Sequence, residues 1–239
     1  MELEGVRTWF KTPSRVLEIG GGNGYQARII SSWGCAVVAL DVACPRGETY
    51  RKGVLYDGVR LPVREHSIDL VFSSNVLEHI EVSHLAMLLS EIKRALKPEG
   101  RVVCIVPTAM WRLWTSLSHY PFCLQYLFGR RAVLGGHSPE LSSVLRRRGL
   151  LATLSRIVIP GPHGVYRNAL SELFAFRRVR WHRLFVALGF QVVAESYSGL
   201  FYTGSALFPR IGLEMRRKLA RFLGSACSVL ILELPPGAV

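Results

Sequence analysis

A glycine-rich stretch near the start of the chain constrains its fold more than any other feature. The apolar run Val16–Ile19 carries one acid, Glu18, and leads into four glycines within the five residues Gly20–Gly24. An amphipathic segment, Gln26–Trp33, follows. This succession predicts a strand, a tight turn and a helix. Because glycine tolerates positive φ and has no side chain, such a turn can bring its backbone close to a ligand.

The composition indicates a folded and strongly basic protein. The chain has 239 residues, of which 49% are hydrophobic. That length fits a single domain, 1–239, and that content can form a substantial core. The formal net charge of +13 is compatible with nucleic acid, an anionic membrane surface or an anionic substrate, and it does not choose among them.

The cysteines and the apolar runs bear on location. Five cysteines are scattered without a C-x-x-C pair, which favours a reduced intracellular protein without a zinc site. The segment Met1–Phe10 carries two glutamates and no apolar core, so we expect no signal peptide. No apolar run approaches the roughly 18 residues of a membrane span. We therefore expect a cytoplasmic protein and leave membrane association open.

Short strands alternate with helices or short connections. The predicted strands are Arg15–Ile19, Cys35–Asp41, Val54–Tyr56, Ser67–Phe72, Arg101–Val106, Phe190–Tyr197 and Cys227–Leu234. The predicted helices are Tyr25–Trp33, Leu85–Leu96 with Ser83 as N-cap, Ser138–Arg148, Arg180–Leu188 and Leu213–Leu223. This alternation predicts an α/β fold, a doubly wound, Rossmann-like, seven-stranded and mostly parallel sheet.

Residues 108–180 interrupt that alternation. They show no clear strand pattern, are rich in aromatic residues and arginine, and contain a loop at Pro160–Gly164. We interpret 108–180 as an insertion after strand 5, within the single domain, that forms a substrate-recognition lid.

Polar and glycine features collect where predicted strands end. The glycine turn, Asp41, Asp57 and Ser73–Asn75 all fall at the carboxyl ends of predicted strands. In doubly wound sheets, ligands bind at the carboxyl ends of the strands. The sequence therefore predicts one convergent site there.

The ordered motifs resemble those of class I S-adenosylmethionine-dependent methyltransferases, in particular the branch that includes the ubiquinone-biosynthesis enzymes. The matching pieces over residues 15–106 are Val16–Gly24, Ala39–Asp41, Asp57 with Leu61–Pro62, Ser67–His79 and Leu96–Arg101. The resemblance implies S-adenosyl-L-methionine as cofactor and methyl transfer as activity.

The resemblance also implies roles for the first two strand ends. Gly20, Gly22 and Gly24 would face the methionine part of the cofactor, and Glu18 would orient their turn. Asp41 would accept hydrogen bonds from the ribose hydroxyls, for which a carboxylate is a suitable double acceptor.

The later strand ends complete the implied cofactor site. Asp57 would meet the adenine amino group, with Gly58 beside it. Ser73 would offer its backbone carbonyl to the methionine ammonium, and Asn75 would help line the opening for methyl transfer.

The catalytic residues are less constrained, because in-line methyl transfer depends mainly on positioning. A hydroxyl nucleophile would benefit from a general base, and histidine is the usual candidate. His137 and His163, both in the insertion, are the predicted catalytic residues, with a purely structural role as the alternative. The acids that hold magnesium in catechol-type enzymes are not evident, so we predict no metal.

The acceptor is predicted only by class. After strand 4 stands Ser73-Ser74-Asn75, and not the Asn/Asp-Pro-Pro-aromatic signature used to methylate base amines. The aromatic stretch Met110–Arg131 and the basic amphipathic segment Glu214–Leu223 suit a hydrophobic acceptor or peripheral membrane contact, or simply cover the pocket and the sheet.

We expect O-methylation of a small or lipid-linked acceptor and no nucleic-acid partner. An RNA-directed enzyme and a non-catalytic cofactor-binding subunit are the alternatives; the oligomeric state is not predicted.

Overall fold

The computed structural model describes residues 2–43, 50, 52–127, 160–204 and 211–237, without the side chains of 122–127. The predicted helix Ser138–Arg148 and the predicted catalytic residue His137 lie outside these ranges. The loop predicted at Pro160–Gly164 lies within them and has no regular secondary structure.

Within the described residues, seven strands form one sheet in the order β3-β2-β1-β4-β5-β7-β6. The strands are β1 Arg15–Ile19, β2 Ala36–Asp41, β3 Gly53–Leu55, β4 Ile68–Ser74, β5 Leu96–Pro107, β6 Gln191–Tyr197 and β7 Cys227–Glu233. Neighbouring strands from β3 to β5 are parallel, whereas β6 and β7 are antiparallel to each other. The predicted α/β, Rossmann-like, seven-stranded sheet is confirmed.

The helices follow the sequence prediction in part. They are α1 Glu2–Val6, α2 Tyr25–Ser32, α3 Val82–Ala95, α4 Ala109–Leu127, α5 Ala169–Ala175, α6 Arg178–Ala187 and α7 Leu213–Leu223. The predicted N-cap of α3 is wrong: the extended residue before the helix is Glu81, and Ser83 already lies in the first turn. The sequence did not predict α1, α4 or α5 as helices.

The order of the strands fixes where a ligand can bind. The chain moves outward from β1 through β2 to β3 and then returns to the other side of β1 with β4. Ile19 at the end of β1 is therefore in register with Leu40 on one side and with Ser73 on the other. A doubly wound sheet opens its ligand crevice at such a switch point.

The core explains why these strands are continuously apolar. Leu17, Leu40 and Val71 are buried in the sheet, and one face of α3 packs into the same cluster through Leu88 and Ile92. Parallel strands covered on both faces lose the alternation of polar and apolar residues.

The chain divides into two compact units. The first contains residues 1–106, 178–198 and 228–239, and the second contains 107–177 and 199–227. The first includes nearly all of the sheet, and the second includes α4, α5 and α7. Among the described helices, none has the length and apolar character needed to cross a bilayer. The lid role of 108–180 within a single domain stays a prediction.

Candidate functional site

The glycine turn is tied to the end of the neighbouring strand. The amides of Gly20 and Gly21 both donate to the carbonyl of Leu40, at 2.8 and 3.0 Å. The amide of Gly24 closes the turn on the carbonyl of Gly21 at 2.7 Å, and α2 begins at the next residue. The backbone of the turn is thus held at the carboxyl ends of β1 and β2.

The glycines of the turn serve two different purposes. Gly20, Gly22 and Gly24 all have positive φ, which disfavours other residues. A Cβ on Gly20 would lie 2.3 Å from Val76 Cγ2, and one on Gly24 would lie 2.1 Å from Tyr50 Cβ. A Cβ on Gly22 would meet no described atom within 4 Å. Packing therefore requires Gly20 and Gly24, whereas Gly22 leaves its backbone open to a ligand.

Glu18 is a buried acid beneath this turn. It is 1% exposed, and a Cβ on Gly21 would lie 3.2 Å from its Oε2. Neither carboxylate oxygen accepts a hydrogen bond of ordinary geometry from any described residue. Burial raises the pKa of Glu18 to about 7; the Ala27 amide partly offsets this rise and the charge of Asp41 adds to it. A positively charged neighbour would stabilise the ionised form of such a buried carboxylate.

Asp41 connects the turn to the end of β2. Its Oδ2 accepts the amide of Gly22 at 2.8 Å, and its Oδ1 accepts the amide of Ala43 at 3.0 Å. Each carboxylate oxygen can accept a further hydrogen bond, so Asp41 is held in place and still able to bind hydroxyls.

Asp57 and Gly58 follow β3, as predicted. The Oδ1 of Asp57 accepts the amides of Val59 and Arg60 at 2.9 and 2.7 Å, and these bonds lower the pKa of the carboxyl. Gly58 has a φ of 86°, and a Cβ there would lie 3.1 Å from Cγ1 of Val42.

Val42 is a site residue that the sequence interpretation missed. It directly follows Asp41, lies against Gly58 and is largely exposed. Its position directly after the predicted site residue Asp41 was the available signal. Its exposed side chain adds apolar surface beside the strand-end residues Asp41 and Gly58.

Ser73 and Asn75 are placed at the end of β4. Ser73 is buried and pairs with Ile19 on one side and Cys104 on the other. Asn75 has a φ of 54°, uncommon for a non-glycine residue, and its amide donates to the carbonyl of Ile105 at 2.8 Å. The first unit thus brings the cofactor residues predicted from the sequence to one edge of the sheet.

His163 belongs to the second unit, where its loop is held by a buried ion pair. Arg112 Nε lies 3.0 Å from Glu172 Oε2, and both side chains are nearly inaccessible. The Oε1 of Glu172 accepts the amides of His163 and Gly164 at 2.7 and 2.6 Å. Arg112 Nη2 donates to the carbonyl of Gly161 at 2.6 Å. We call this arrangement the Arg112–Glu172 clamp.

The clamp lies in an apolar environment, where burial disfavours the charged forms of both of its side chains. Burial raises the pKa of Glu172 and lowers the pKa of Arg112, and in each case the partner's charge opposes that shift. The Trp111 ring lies edge-on to the ring of His163 with centroids 4.7 Å apart. Backbone and ring of His163 are therefore both fixed within the second unit.

Comparison with known proteins identifies the family. Residues 3–195 match the model of a methyltransferase domain. A methyltransferase of unassigned activity from Mycobacterium bovis is 30% identical over 168 residues, which cover 67% of this chain and 56% of that protein. The chain thus spans about half the length of this curated relative.

Two solved structures share the fold. The 1,6-didemethyltoxoflavin-N1-methyltransferase of Burkholderia thailandensis, with bound S-adenosylhomocysteine, has a TM-score of 0.52 at 16% identity, over 98% of this chain and 77% of that one. The geranyl diphosphate C-methyltransferase of Streptomyces coelicolor, also with S-adenosylhomocysteine, has a TM-score of 0.54 at 10% identity, over 98% and 78%.

These matches agree with the glycine turn after β1 and with three acids near strand ends, namely Glu18 in β1, Asp41 at the end of β2 and Asp57 after β3. They do not single out the ubiquinone-biosynthesis branch. The chain belongs to the class I methyltransferases, whose cofactor is S-adenosyl-L-methionine.

Proposed function

We propose that the chain transfers a methyl group from S-adenosyl-L-methionine to an oxygen atom of a small or lipid-linked acceptor. The observation that carries this proposal is the pairing of an open glycine backbone with two acids, Glu18 and Asp41, at the switch point of the sheet. If the acceptor is lipid-linked, the enzyme also contacts a membrane peripherally.

The residues present fit that cofactor. The bound cofactor would supply a methyl group already activated on a positively charged sulfonium. Glu18 is a buried acid that receives no hydrogen bond of ordinary geometry from the described residues, so a cation above the turn would stabilise its ionised form. Asp41 would hold the ribose hydroxyls, Asp57 and Val42 the adenine, and the open backbone at Gly22 the methionine part.

The chain's contribution to catalysis is mainly positional. Holding the acceptor oxygen in line at near-attack distance can supply much of the acceleration. His163 is the proposed general base for the acceptor hydroxyl, and His137 is the second candidate. The clamp supports His163, because a general base has to be held within hydrogen-bond reach of the proton that it removes.

The choice of acceptor class has separate support. By their names, the Burkholderia and Streptomyces neighbours act on small molecules, one at nitrogen and one at carbon. The choice of oxygen depends on this chain's own residues, namely Ser73-Ser74-Asn75 in place of an amine-methylating signature and the histidines of 108–180.

A transfer assay with methyl-labelled cofactor tests the proposal. Matched acceptors that differ only in a hydroxyl or an amine, on short and on prenyl-linked scaffolds, are compared by product mass and fragmentation. We expect O-methyl products that disappear in Asp41→Ala. His163→Gln should lower kcat by about a hundredfold while cofactor binding is kept. Methylation of nitrogen or carbon, or cofactor binding without transfer to any acceptor, would overturn the proposal.

A further inference from the structure

The second unit presents an amphipathic surface on α7. This helix carries four basic residues and one acid, a net charge of +3. None of its residues is buried. Phe222 is 87% exposed and Met215 is 51% exposed, so two large apolar side chains of this short helix are open to solvent.

The basic and apolar side chains occupy adjoining strips of α7. Met215, Lys218 and Phe222 follow each other at i, i+3 and i+7 and therefore lie along one face. Arg217 and Arg221 are exposed on the neighbouring strip, one turn apart. Arg216 points the other way and donates to the carbonyls of Ile211 and Phe201. That inward contact fixes the rotation of α7, so its outward face is set by the fold.

Helix α4 adds a second apolar strip in the same unit. Met110, Leu113, Leu117 and Tyr120 recur at i, i+3, i+7 and i+10, and all four are exposed. They extend over about 15 Å of helix.

The two helices are joined where α7 ends. Trp114 Nε1 donates to the carbonyl of Leu223 at 2.8 Å, and a Cβ on Gly224 would lie 2.8 Å from Cγ of Met110. Met110 begins the α4 strip, and Phe222 stands next to Leu223 in α7. We call the exposed residues of the two strips, with Arg217, Lys218 and Arg221, the α4–α7 surface.

We propose that the α4–α7 surface binds the protein peripherally to an anionic lipid bilayer. Interfacial helices insert their apolar side chains at the headgroup boundary while neighbouring arginines and lysines meet anionic lipids. The α4–α7 surface combines both, and the chain's net charge of +13 adds long-range attraction. Because this docking requires neither cofactor nor acceptor, it can be tested apart from methyl transfer.

Charge and side-chain type favour a bilayer over other occupants. In a two-fold dimer the same patch would face itself, so Arg217, Lys218 and Arg221 would meet like charges. Single-stranded nucleic acid is held by stacking on aromatic rings, but the strips consist largely of leucine and methionine, which bury alkyl surface instead. In an anionic bilayer, the lipid headgroups can pair with the cations and the acyl region can bury the alkyl side chains.

The test is co-sedimentation of the full chain with vesicles of phosphatidylcholine alone or mixed with phosphatidylglycerol. We expect binding to the mixed vesicles that weakens as salt rises. Arg217→Gln/Arg221→Gln should weaken it by about 25-fold, since each cation near an anionic surface contributes about fivefold. Phe222→Ser should weaken it by on the order of tenfold.

Matched controls lie on α6 in the first unit, where Arg183 and Val186 are also exposed. Arg183→Gln and Val186→Ser should bind like the unchanged protein. Circular dichroism of each variant establishes that it is folded. As a second measurement, Phe222→Trp should be quenched by brominated lipid more strongly than Val186→Trp.

Four outcomes would overturn the proposal. The first is no binding to the mixed vesicles, and the second is equal loss of binding in the α6 and α7 variants. The third is binding of an RNA oligonucleotide that the α7 variants abolish while vesicles are not bound. The fourth is a dimer in light scattering that the α7 variants dissociate while vesicles are not bound.

Discussion

The carboxylate of Asp41 accepts the backbone amide of Gly22 at 2.8 Å, which joins the end of β2 to the open glycine of the turn after β1. The two residues are 19 positions apart in the sequence; Asp41 is the last residue of β2, and Gly22 lies in the turn after β1. One side chain therefore both shapes the turn and keeps oxygen lone pairs for a ligand.

Replacing Asp41 should weaken cofactor binding in steps. Asp41→Asn keeps one acceptor oxygen for the Gly22 amide but loses the charge, whereas Asp41→Ala loses both. We expect affinities for S-adenosylhomocysteine to fall by about tenfold and about a hundredfold, since hydrogen bonds to charged groups contribute about 1.5–3 kcal/mol. Isothermal titration measures both values. Glu99→Gln, an exposed acid next to Gly100, is the control, and equal affinity in all four proteins would disprove the role of Asp41.

Alanine at Gly20 should mainly lower the stability of the fold, whereas alanine at Gly22 should mainly weaken cofactor binding. A Cβ on Gly20 would collide with Val76, so Gly20→Ala should destabilise the fold by about 2–4 kcal/mol through overpacking and strain. Gly22→Ala meets no described atom, so it should cost only about 1 kcal/mol of backbone strain but impair cofactor binding.

Denaturant unfolding and calorimetric titration of both variants separate the two effects. Gly20→Ala/Val76→Ala should recover part of the lost stability, because the Cγ atoms that cause the collision are removed. A Gly22→Ala protein that binds the cofactor normally would contradict the assignment of Gly22 to ligand contact.

The strand ends show how far sequence alone could go. Asp41 and Asp57 were recognisable because each directly follows an apolar run, and Asn75 because only two serines separate it from one. The topology brings such positions together. Helix α7 was predicted with both of its observed bounds, because its basic and apolar residues recur with helical spacing.

The second unit was harder to predict for physical reasons. Helix α4 carries apolar residues on several faces and contains Pro121. Its apolar residues therefore do not repeat with the regular spacing that predicts a helix. The pairing of Arg112 with Glu172 joins residues 60 positions apart. Their burial results from tertiary packing, which local sequence does not reveal.

Glu18 should make stability depend on pH. Its pKa rises from 4.5 to about 7 on folding, so between these values the folded state holds a proton that the unfolded state has released. Stability from this group therefore falls as pH rises through the window, by up to about 3 kcal/mol in total. Glu18→Gln lacks this loss, and its stability relative to the unchanged protein should increase with pH.

Urea unfolding at about pH 5 and about pH 8 measures that difference. Glu99→Gln, a change at an exposed acid, should show no comparable trend. If the difference in unfolding free energy between Glu18→Gln and the unchanged protein did not depend on pH, Glu18 would be ionised in the folded protein over that whole pH range.

Replacing only one partner of the Arg112–Glu172 clamp should lower the free energy of unfolding strongly. Arg112→Met leaves the carboxylate of Glu172 buried and removes the bond to Gly161, and Glu172→Gln leaves the guanidinium unpaired. Each should cost about 3–5 kcal/mol. Arg112→Met/Glu172→Leu should cost clearly less than the sum, because no uncompensated charge stays buried.

A double-mutant cycle by urea unfolding measures this coupling. The control is the exposed pair of Lys218 and Glu214 on α7, which are 3.1 Å apart. Lys218→Met and Glu214→Gln should couple by less than about 1 kcal/mol, since exposed ion pairs are screened by solvent. Equal coupling in the two pairs would show that burial does not strengthen the clamp. Its role in fixing His163 would then have to rest on the amide bonds alone.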